Sequence, residues 1–377
     1  MESTFITKSS NKKNQYIKKI FLPKESTPNC SIFIIKDEKT SKQFLQKEIK
    51  TTRTEMNKIY ENEYLQSFNS KNTLHYINII DIFYSKDSEK LIVRTEYLQN
   101  NILKLIASKM SQKTYFSEYN ILELFTQTCL AIKSLHDNKI IYRNLDPNKI
   151  FVCNGNIVKL GDCLDIKGLS YTHEKAITFT GFDLYCSPEI IIGHPYSFKS
   201  DIWSLGAFLF HLSTLKYPFN NIELNYMKNV KKFDKFKLID KIPKHYSNNL
   251  KTLVGILLDF EPLNRPDITK ILTFIYEKYF IYNSIIKIGH KPWINSLKEI
   301  YQKKVTLNDV KEKLRVNIKE NNSTLLNKTN NNSYSTQSIF KISHLNQKIV
   351  GLEDTYKPNQ IISEIMRIDL SKDSKNE

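Results

Sequence analysis

Five residues within a stretch of twenty carry side chains suited to chemistry. Arg143, Asn144, Asp146 and Lys149 fall in Y-R-N-L-D-P-N-K-I (Tyr142 to Ile150), and Asp162 follows in L-G-D-C-L. A carboxylate can accept a proton or hold a cation, a guanidinium or ammonium attracts anions, and an amide offers only neutral hydrogen bonds. The formal charge at Asn144, Asp146, Lys149 and Asp162 is 0 − 1 + 1 − 1 = −1. Two carboxylates and one ammonium are therefore present, and their order decides what they can do.

The run at Tyr142 to Ile150 resembles the catalytic loop of protein kinases, H-R-D-L-x-x-x-N, in which the Asp accepts the substrate hydroxyl proton and the Asn holds the second Mg²⁺. Four blocks follow in the kinase order: L-G-D-C-L at Leu160 for L-G-D-F-G, S-P-E at Ser187 for A-P-E, S-D-I-W-S-L-G at Ser200, and N-R-P-D at Asn264. The texture of L-H-D-N-K-I-I-Y-R-N-L-D-P-N-K-I-F, Y-C-S-P-E-I-I-I-G-H-P-Y-S-F-K-S-D-I-W-S-L-G and T-L-K-Y-P-F is similar to the NIMA-related serine/threonine kinases. This resemblance covers Tyr16 to Phe280. It implies an α+β, bilobal protein-kinase fold, with a small β-rich lobe over 16–96 and a larger helical lobe over 97–280. A disordered N-terminus (1–15) and a polar, largely disordered tail (281–377) are expected on either side.

On the kinase pattern, Asn144 takes the place of the base, Asp146 that of the phosphate-contacting Lys, and Lys149 that of the metal-binding Asn. Asp162 takes the place of the metal-binding Asp, with Cys163 and Leu164 in place of Phe and Gly. An ordinary kinase carries Asp, Lys, Asn and Asp at these four positions, again −1, so charge is permuted rather than erased. An ammonium ~4 Å from a divalent ion costs roughly 8 kcal/mol at an effective dielectric of ~20. Two-metal chemistry is excluded unless Lys149 swings away, and a Lys149–Asp162 pair would replace the metal.

Kinases close over ATP with G-x-G-x-x-G because glycine lets backbone approach phosphate. Here no glycine precedes Gly155. The corresponding segment, Lys24 to Ser31, offers Glu25, Thr27 and Cys30 where glycines belong, and Pro28 removes a donor. Lys47 resembles the Lys of V-A-I-K, with Lys42 and Lys50 as alternative registers, and Glu61 resembles its helical partner. Thr95-Glu96-Tyr97-Leu98 resembles the hinge, with Thr95 as gatekeeper and Thr95, Glu96 and Leu98 along the nucleotide cleft. Phe182 stands where a substrate-facing Thr would be. The resemblance thus implies weak ATP binding at most and no Mg²⁺.

What remains is scaffold. The resemblance assigns Asp201 to bracing the catalytic loop, Glu189 and Arg265 to a buried ion pair, and Arg143 to binding a phosphorylated loop, with Ser170, Thr172, Thr178 and Thr180 as candidate acceptors.

The positioning elements are legible in the apolar spacing. Ile32 to Ile35 and Leu91 to Val93 read as strands, and Glu55 to Phe68 as a helix. Leu122, Phe125, Cys129, Ile132 and Leu135 share a helical face, as do Ile202, Leu205, Leu209 and Leu212. Five widely spaced cysteines suggest reduced packing residues rather than disulfides or zinc. The net charge of +17 accompanies only 9 glycines in 377 residues, a Lys- and Asn-rich bias that AT-rich coding would produce. No apolar run approaches the ~20 residues needed to cross a bilayer. The expectation is an intracellular protein, cytoplasmic or nuclear, that binds a protein partner such as an active kinase and neither membrane nor nucleic acid.

These readings converge on a catalytically deficient kinase serving as a protein-binding or allosteric scaffold. One rival is a weak or unconventional kinase in which Asp146 takes the substrate proton. Another is a basic scaffold for microtubules or nucleic acid.

Overall fold

The computed structural model describes residues 16–22, 26, 28–51, 75–85, 88–143, 145–161, 183–195, 197–230, 234–281 and 292–304. Two units divide the chain, Met1–Ile271 and Leu272–Glu377. The first unit opens with β1 (Tyr16–Phe21), β2 (Cys30–Asp37), β3 (Gln43–Lys50), β4 (Ile79–Ser85) and β5 (Lys90–Glu96), which form one antiparallel sheet in the order β1-β2-β3-β5-β4. Period-two alternation explains β5. Leu91 and Val93 are fully buried on one face, where Ile49, Ile79, Ile82 and Tyr84 pack against them.

The other face of the sheet carries a polar network. Arg94 Nε donates to Gln46 Oε1 at 2.9 Å and Arg94 Nη1 to Asp81 at 3.2 Å, while Gln46 Nε2 and Lys90 Nζ both reach Glu48. Gln46, Glu48 and Arg94 are all buried. Directly opposed residues fix the register of β2, β3 and β5, because a one-residue slip would move these groups to the apolar face.

After the sheet come α1 (Ile102–Ser111), capped by the Asn101 side chain, and α2 (Glu118–Asp137), capped by Ser117. In α2 the expected stripe from Leu122 to Leu135 is buried. A two-stranded ribbon follows, β6 (Ile150–Cys153) and β7 (Ile157–Leu160), whose turn places Gly155 at φ 75°. The short α3 (Pro188–Ile191) leads to α4 (Phe198–Thr214), whose start is fixed by a capping box between Ser197 and Ser200. Ile202, Leu205, Leu209 and Leu212 on α4 are buried. Beyond lie α5 (Asn221–Val230), α6 (Lys235–Ile239), α7 (Asn248–Leu257) and α8 (Ile268–Ile275). The β-rich and helical parts thus follow the expected bilobal kinase order.

In the second unit, Tyr276–Ile281 winds as a π-helical turn and α9 spans Pro292–Lys304. The Tyr276 ring lies 5.6 Å from Phe280 and 4.8 Å from Tyr301, and Phe280 meets Trp293 at 6.0 Å. The helix α9 lies inside the segment 281–377, expected to be a polar, largely disordered tail. Trp293, Leu297 and Tyr301 recur every four residues and are buried, an apolar stripe hidden within a polar composition. The expected helix over Glu55 to Phe68 and the whole of 1–15 and 305–377 lie outside the described residues. Among the described residues no helix is long and apolar enough to cross a membrane. Cys30, Cys129, Cys153 and Cys186 are not joined in disulfides, and Cys163 lies outside the described residues.

The contact between α4 and α7 is tight. A Cβ built on Gly206 would stand 2.8 Å from Leu257 Cβ and 2.9 Å from Leu258 Cγ. Gly206→Ala is therefore expected to destabilise the domain by about 1–3 kcal/mol despite the better helix propensity of Ala. A denaturant melt at or above the wild-type midpoint would show that the interface can relax.

Candidate functional site

The loop between α2 and β6 is held at both ends. At its start, the Asp201 carboxylate in the first turn of α4 accepts the Tyr142 N–H and the Arg143 N–H, each at 2.9 Å, and lies 2.8 Å from His136 Nε2. Asp201 is 1% exposed, so these bonds replace water for a buried charge. They also hold Arg143 at φ 69°, the left-handed region that a long side chain rarely adopts. At the far end, Asn101 Nδ2 donates to Asn148 O at 3.1 Å and to Asn148 Oδ1 at 2.9 Å.

Between these anchors the loop is stitched to β7. Tyr142 stands where kinases carry the His of H-R-D, and its hydroxyl donates to Gly161 O at 2.8 Å. The Gly161 N–H donates to Lys149 O at 2.7 Å, and the Lys149 N–H to Asp146 O at 2.8 Å. Gly161 has no room for a side chain, since its Cβ would lie 2.6 Å from Phe151 and 2.7 Å from Ile77. Asp146 is buried, and its Oδ1 accepts the Asn148 N–H at 2.9 Å, closing a turn through Pro147. Lys149 is half-buried. Asn144, Asp162 and Phe182, with Ser170, Thr172, Thr178 and Thr180, lie outside the described residues, as does Glu61.

Strand pairing places the small-lobe candidates. Lys47 stands opposite Val93 and Ile32, and Leu45 opposite Thr95, so Lys47 and Thr95 share the apolar face of the sheet. Lys50 lies on the other face and Lys42 precedes β3. The expected phosphate loop falls in the β1–β2 connection, where Ser26 Oγ donates to Leu22 O at 2.7 Å and accepts the Ile32 N–H at 3.0 Å. Glu96 and Leu98 are half-buried. The Glu96 carboxylate accepts from Lys159 Nζ at 2.5 Å and from the Asn78 N–H at 2.7 Å. Sequence reasoning missed Lys159, whose signal was its place in V-K-L-G-D, three residues before Asp162.

The Glu189–Arg265 pair is bidentate, Nη1 to Oε1 and Nη2 to Oε2, both at 2.8 Å. Arg265 is 1% exposed, and its remaining donors reach Asp259 O, Lys199 O and Phe260 O. Burial alone would raise the Glu189 pKa; hydrogen bonds and charge from Arg265 outweigh it and hold the carboxyl below its ordinary value.

Sequence reasoning also missed a buried pair beneath Asp146. The Tyr185 hydroxyl lies 2.5 Å from His211 Nδ1 on α4. Burial pushes the His211 pKa down to about 4, so the neutral ring accepts and the hydroxyl donates. Burial, with added repulsion from the Asp146 and Tyr217 charges, raises the Tyr185 pKa well above its ordinary value. Among the described residues no group of three or more His, Cys, Asp or Glu could hold a metal ion.

Comparison with known proteins agrees with this geometry. The family model "Protein kinase domain" matches residues 29–277. "Serine/threonine-protein kinase Nek5" of Mus musculus is 32% identical over 243 residues, 64% of this chain and 37% of that protein. "Probable serine/threonine-protein kinase nek3" of Dictyostelium discoideum is 37% identical over 216 residues, 55% of this chain and 18% of its own. "Serine/threonine-protein kinase Nek1" of Mus musculus is 40% identical over 176 residues, 46% of this chain and 14% of its own. The chain thus spans well under half the length of these relatives.

Two outcomes follow from the buried polar groups. Arg265→Ala leaves the Glu189 carboxylate unpaired and is expected to destabilise the domain by roughly 3–5 kcal/mol, read as a fall in the urea midpoint; a loss below about 1 kcal/mol would show the pair to be dispensable. His211 has a folded pKa of about 4 against 6.5 in the unfolded chain, so its contribution is fully present above pH 6.5 and is lost as pH falls toward 4. The loss amounts to about 3 kcal/mol at most. His211→Gln should flatten stability across this window, and an unchanged pH profile would mean that the ring titrates alike in the folded and unfolded chain.

Proposed function

We propose, from the premise that this chain belongs to the protein kinase family and is related to the Nek kinases, that its domain is catalytically deficient and acts as a protein-binding or allosteric module. Its partner on this reading is another protein, with an active kinase the leading class. Typical kinases use ATP and Mg²⁺. The observation that carries the proposal is the position of Lys149. Its carbonyl accepts the Gly161 N–H at 2.7 Å, and Gly161 precedes Asp162, the residue that the kinase pattern assigns to metal binding. An ammonium at the pattern's second-metal position would oppose a divalent cation, so Lys149 with Asp162 is a donor set that does not suit a two-metal centre.

Two further observations support the same reading. In the segment that should cradle phosphates, the Ser26 side chain takes the Ile32 N–H. Asp146, which a weakly active kinase would need as its base, has one carboxylate oxygen committed to the Asn148 N–H and is buried at the floor of the loop. General-base assistance contributes about 10²–10⁴, so loss of the base alone would leave phosphotransfer measurable. Loss of the base, the metal ligand and the phosphate contacts together would not.

The test is nucleotide binding by thermal melt of the full chain. A ligand at 100 times its Kd stabilises by about 2.7 kcal/mol, roughly 5 °C or more for a domain of this size. Millimolar ATP with Mg²⁺ is expected to leave Tm unchanged. A Mg²⁺-dependent rise of several degrees would overturn the proposal, and so would phosphate transfer to a protein substrate by the wild-type chain.

A further inference from the structure

The link between the lobes is gripped by one side chain. Glu96 closes β5, and its Oε1 accepts from the Lys159 ammonium on β7 at 2.5 Å and from the Asn78 N–H at 2.7 Å. The Glu96 N–H in turn donates to Asn78 O at 3.0 Å. Asn78 precedes β4, so a carboxylate oxygen takes the amide at which the pairing of β4 with β5 runs out. The Lys159 side chain is 18% exposed and that of Glu96 27%, so salt screens the pair less than one standing free in water.

Both partners of Glu96 stand on a ledge that is bonded to the large lobe. The Ile77 N–H donates to Leu160 O at 2.9 Å and the Leu160 N–H to His75 O at 2.8 Å, which lays residues 75–77 along β7. The buried Tyr76 reaches further, its hydroxyl donating to Ala131 O on α2 at 2.6 Å. Past the link, the Val152 N–H donates to Asn100 O at 2.9 Å and ties the chain to β6. Residues 97–99 therefore join two anchored points, and the end of the sheet meets the ledge through Glu96.

We propose that the Glu96–Lys159 pair is a lock on lobe movement. Closed, it holds the end of β5 against the ledge; separated, it frees the five-stranded sheet to turn about residues 97–99. Two plainer roles make different demands. A carboxylate that capped the Asn78 amide and did nothing else would need no cation beside it. An ion pair that added stability and nothing more would act on the whole domain alike. The inference goes beyond the reading of the chain as a binding module and is independent of it, since lobe movement is measured with neither nucleotide nor partner present.

The experiment uses the full chain with spin labels on ketone-bearing residues introduced at Glu38, on the β2–β3 turn, and at Thr114, after α1, both exposed. Pulsed dipolar spectroscopy then reads the distance between the lobes. Wild type is expected to give one narrow distribution, and Lys159→Met, which keeps the length and removes the charge, to add a second population. Hydrogen exchange at single residues supplies the second readout, because local opening sets the rate of each amide. Lys159→Met should speed exchange of the Glu96 N–H about tenfold, and leave the ledge amides of Ile77 and Val152 within about twofold of wild type. Glu96→Gln, which keeps an acceptor for Asn78, should act likewise, and the double variant should open no further than the more open single, because both substitutions break one pair. An unchanged distance distribution in Lys159→Met would overturn the proposal, even if exchange at Asn78 or Glu96 rose, since that marks a local cap. An equal rise at Ile77 and Val152 would overturn it as general loosening, and additive effects in the double variant would show that the two side chains do not act as a pair.

Discussion

A carboxylate that is 1% exposed must recover in hydrogen bonds what it loses in hydration, and Asp201 does so by gripping the backbone of another segment. Its two oxygens take the amides of Tyr142 and Arg143, and these bonds keep Arg143 in a backbone conformation it would not choose. Everything downstream on the loop inherits that placement: the Tyr142 hydroxyl on Gly161 O, the Asp146 turn, and Lys149 against the Gly161 amide. The geometry of the candidate site is thus a property of one buried charge near the N-terminus of a buried helix, where the helix dipole also favours an anion.

The same helical turn carries the second anchor. Arg265 donates to the carbonyl of Lys199 and to Glu189, which also accepts from the Ser200 hydroxyl, while the Lys199 ammonium returns to the Arg265 carbonyl. Lys199, Ser200 and Asp201 therefore bind the late Arg segment, the S-P-E segment and the catalytic loop in sequence. The Arg265 guanidinium also lies 5.0 Å over the Trp203 ring, one turn further along α4. Because the capping box at Ser197 and Ser200 sets where this turn begins, a local sequence signal fixes a long-range junction.

Much of this was legible before any coordinates. Leu91 to Val93 reads as a strand and the stripe on α2 as a helical face from apolar spacing, while the resemblance to the ordered kinase motifs located Asp201, Glu189 and Arg265. The register of Lys47 did not, because lysines at 42, 47 and 50 are alike until cross-strand partners are known. The Arg94–Gln46–Glu48 network was hidden for a related reason: polar residues at alternate strand positions read as a solvent face, yet here they satisfy one another under cover. The Tyr185–His211 pair joins residues 26 apart, and no local pattern announces it. In α9, four-residue spacing was present in the sequence, but polar composition outweighed it in the reading.

The asymmetry between scaffold and chemistry has a thermodynamic basis. Removing a partner from a buried, fully bonded ion pair costs several kcal/mol, a large share of the 5–15 kcal/mol that holds a domain together. Changing a side chain that faces an open cleft costs a fraction of that. On the proposed reading, a chain that must only fold and bind is free to change at Asn144 and Lys149 and held fixed at Asp201, Glu189 and Arg265. Asp146 shows how the two regimes meet. Set where kinases place a phosphate-contacting Lys, it has become part of the loop's own turn through the bond from the Asn148 N–H to its Oδ1.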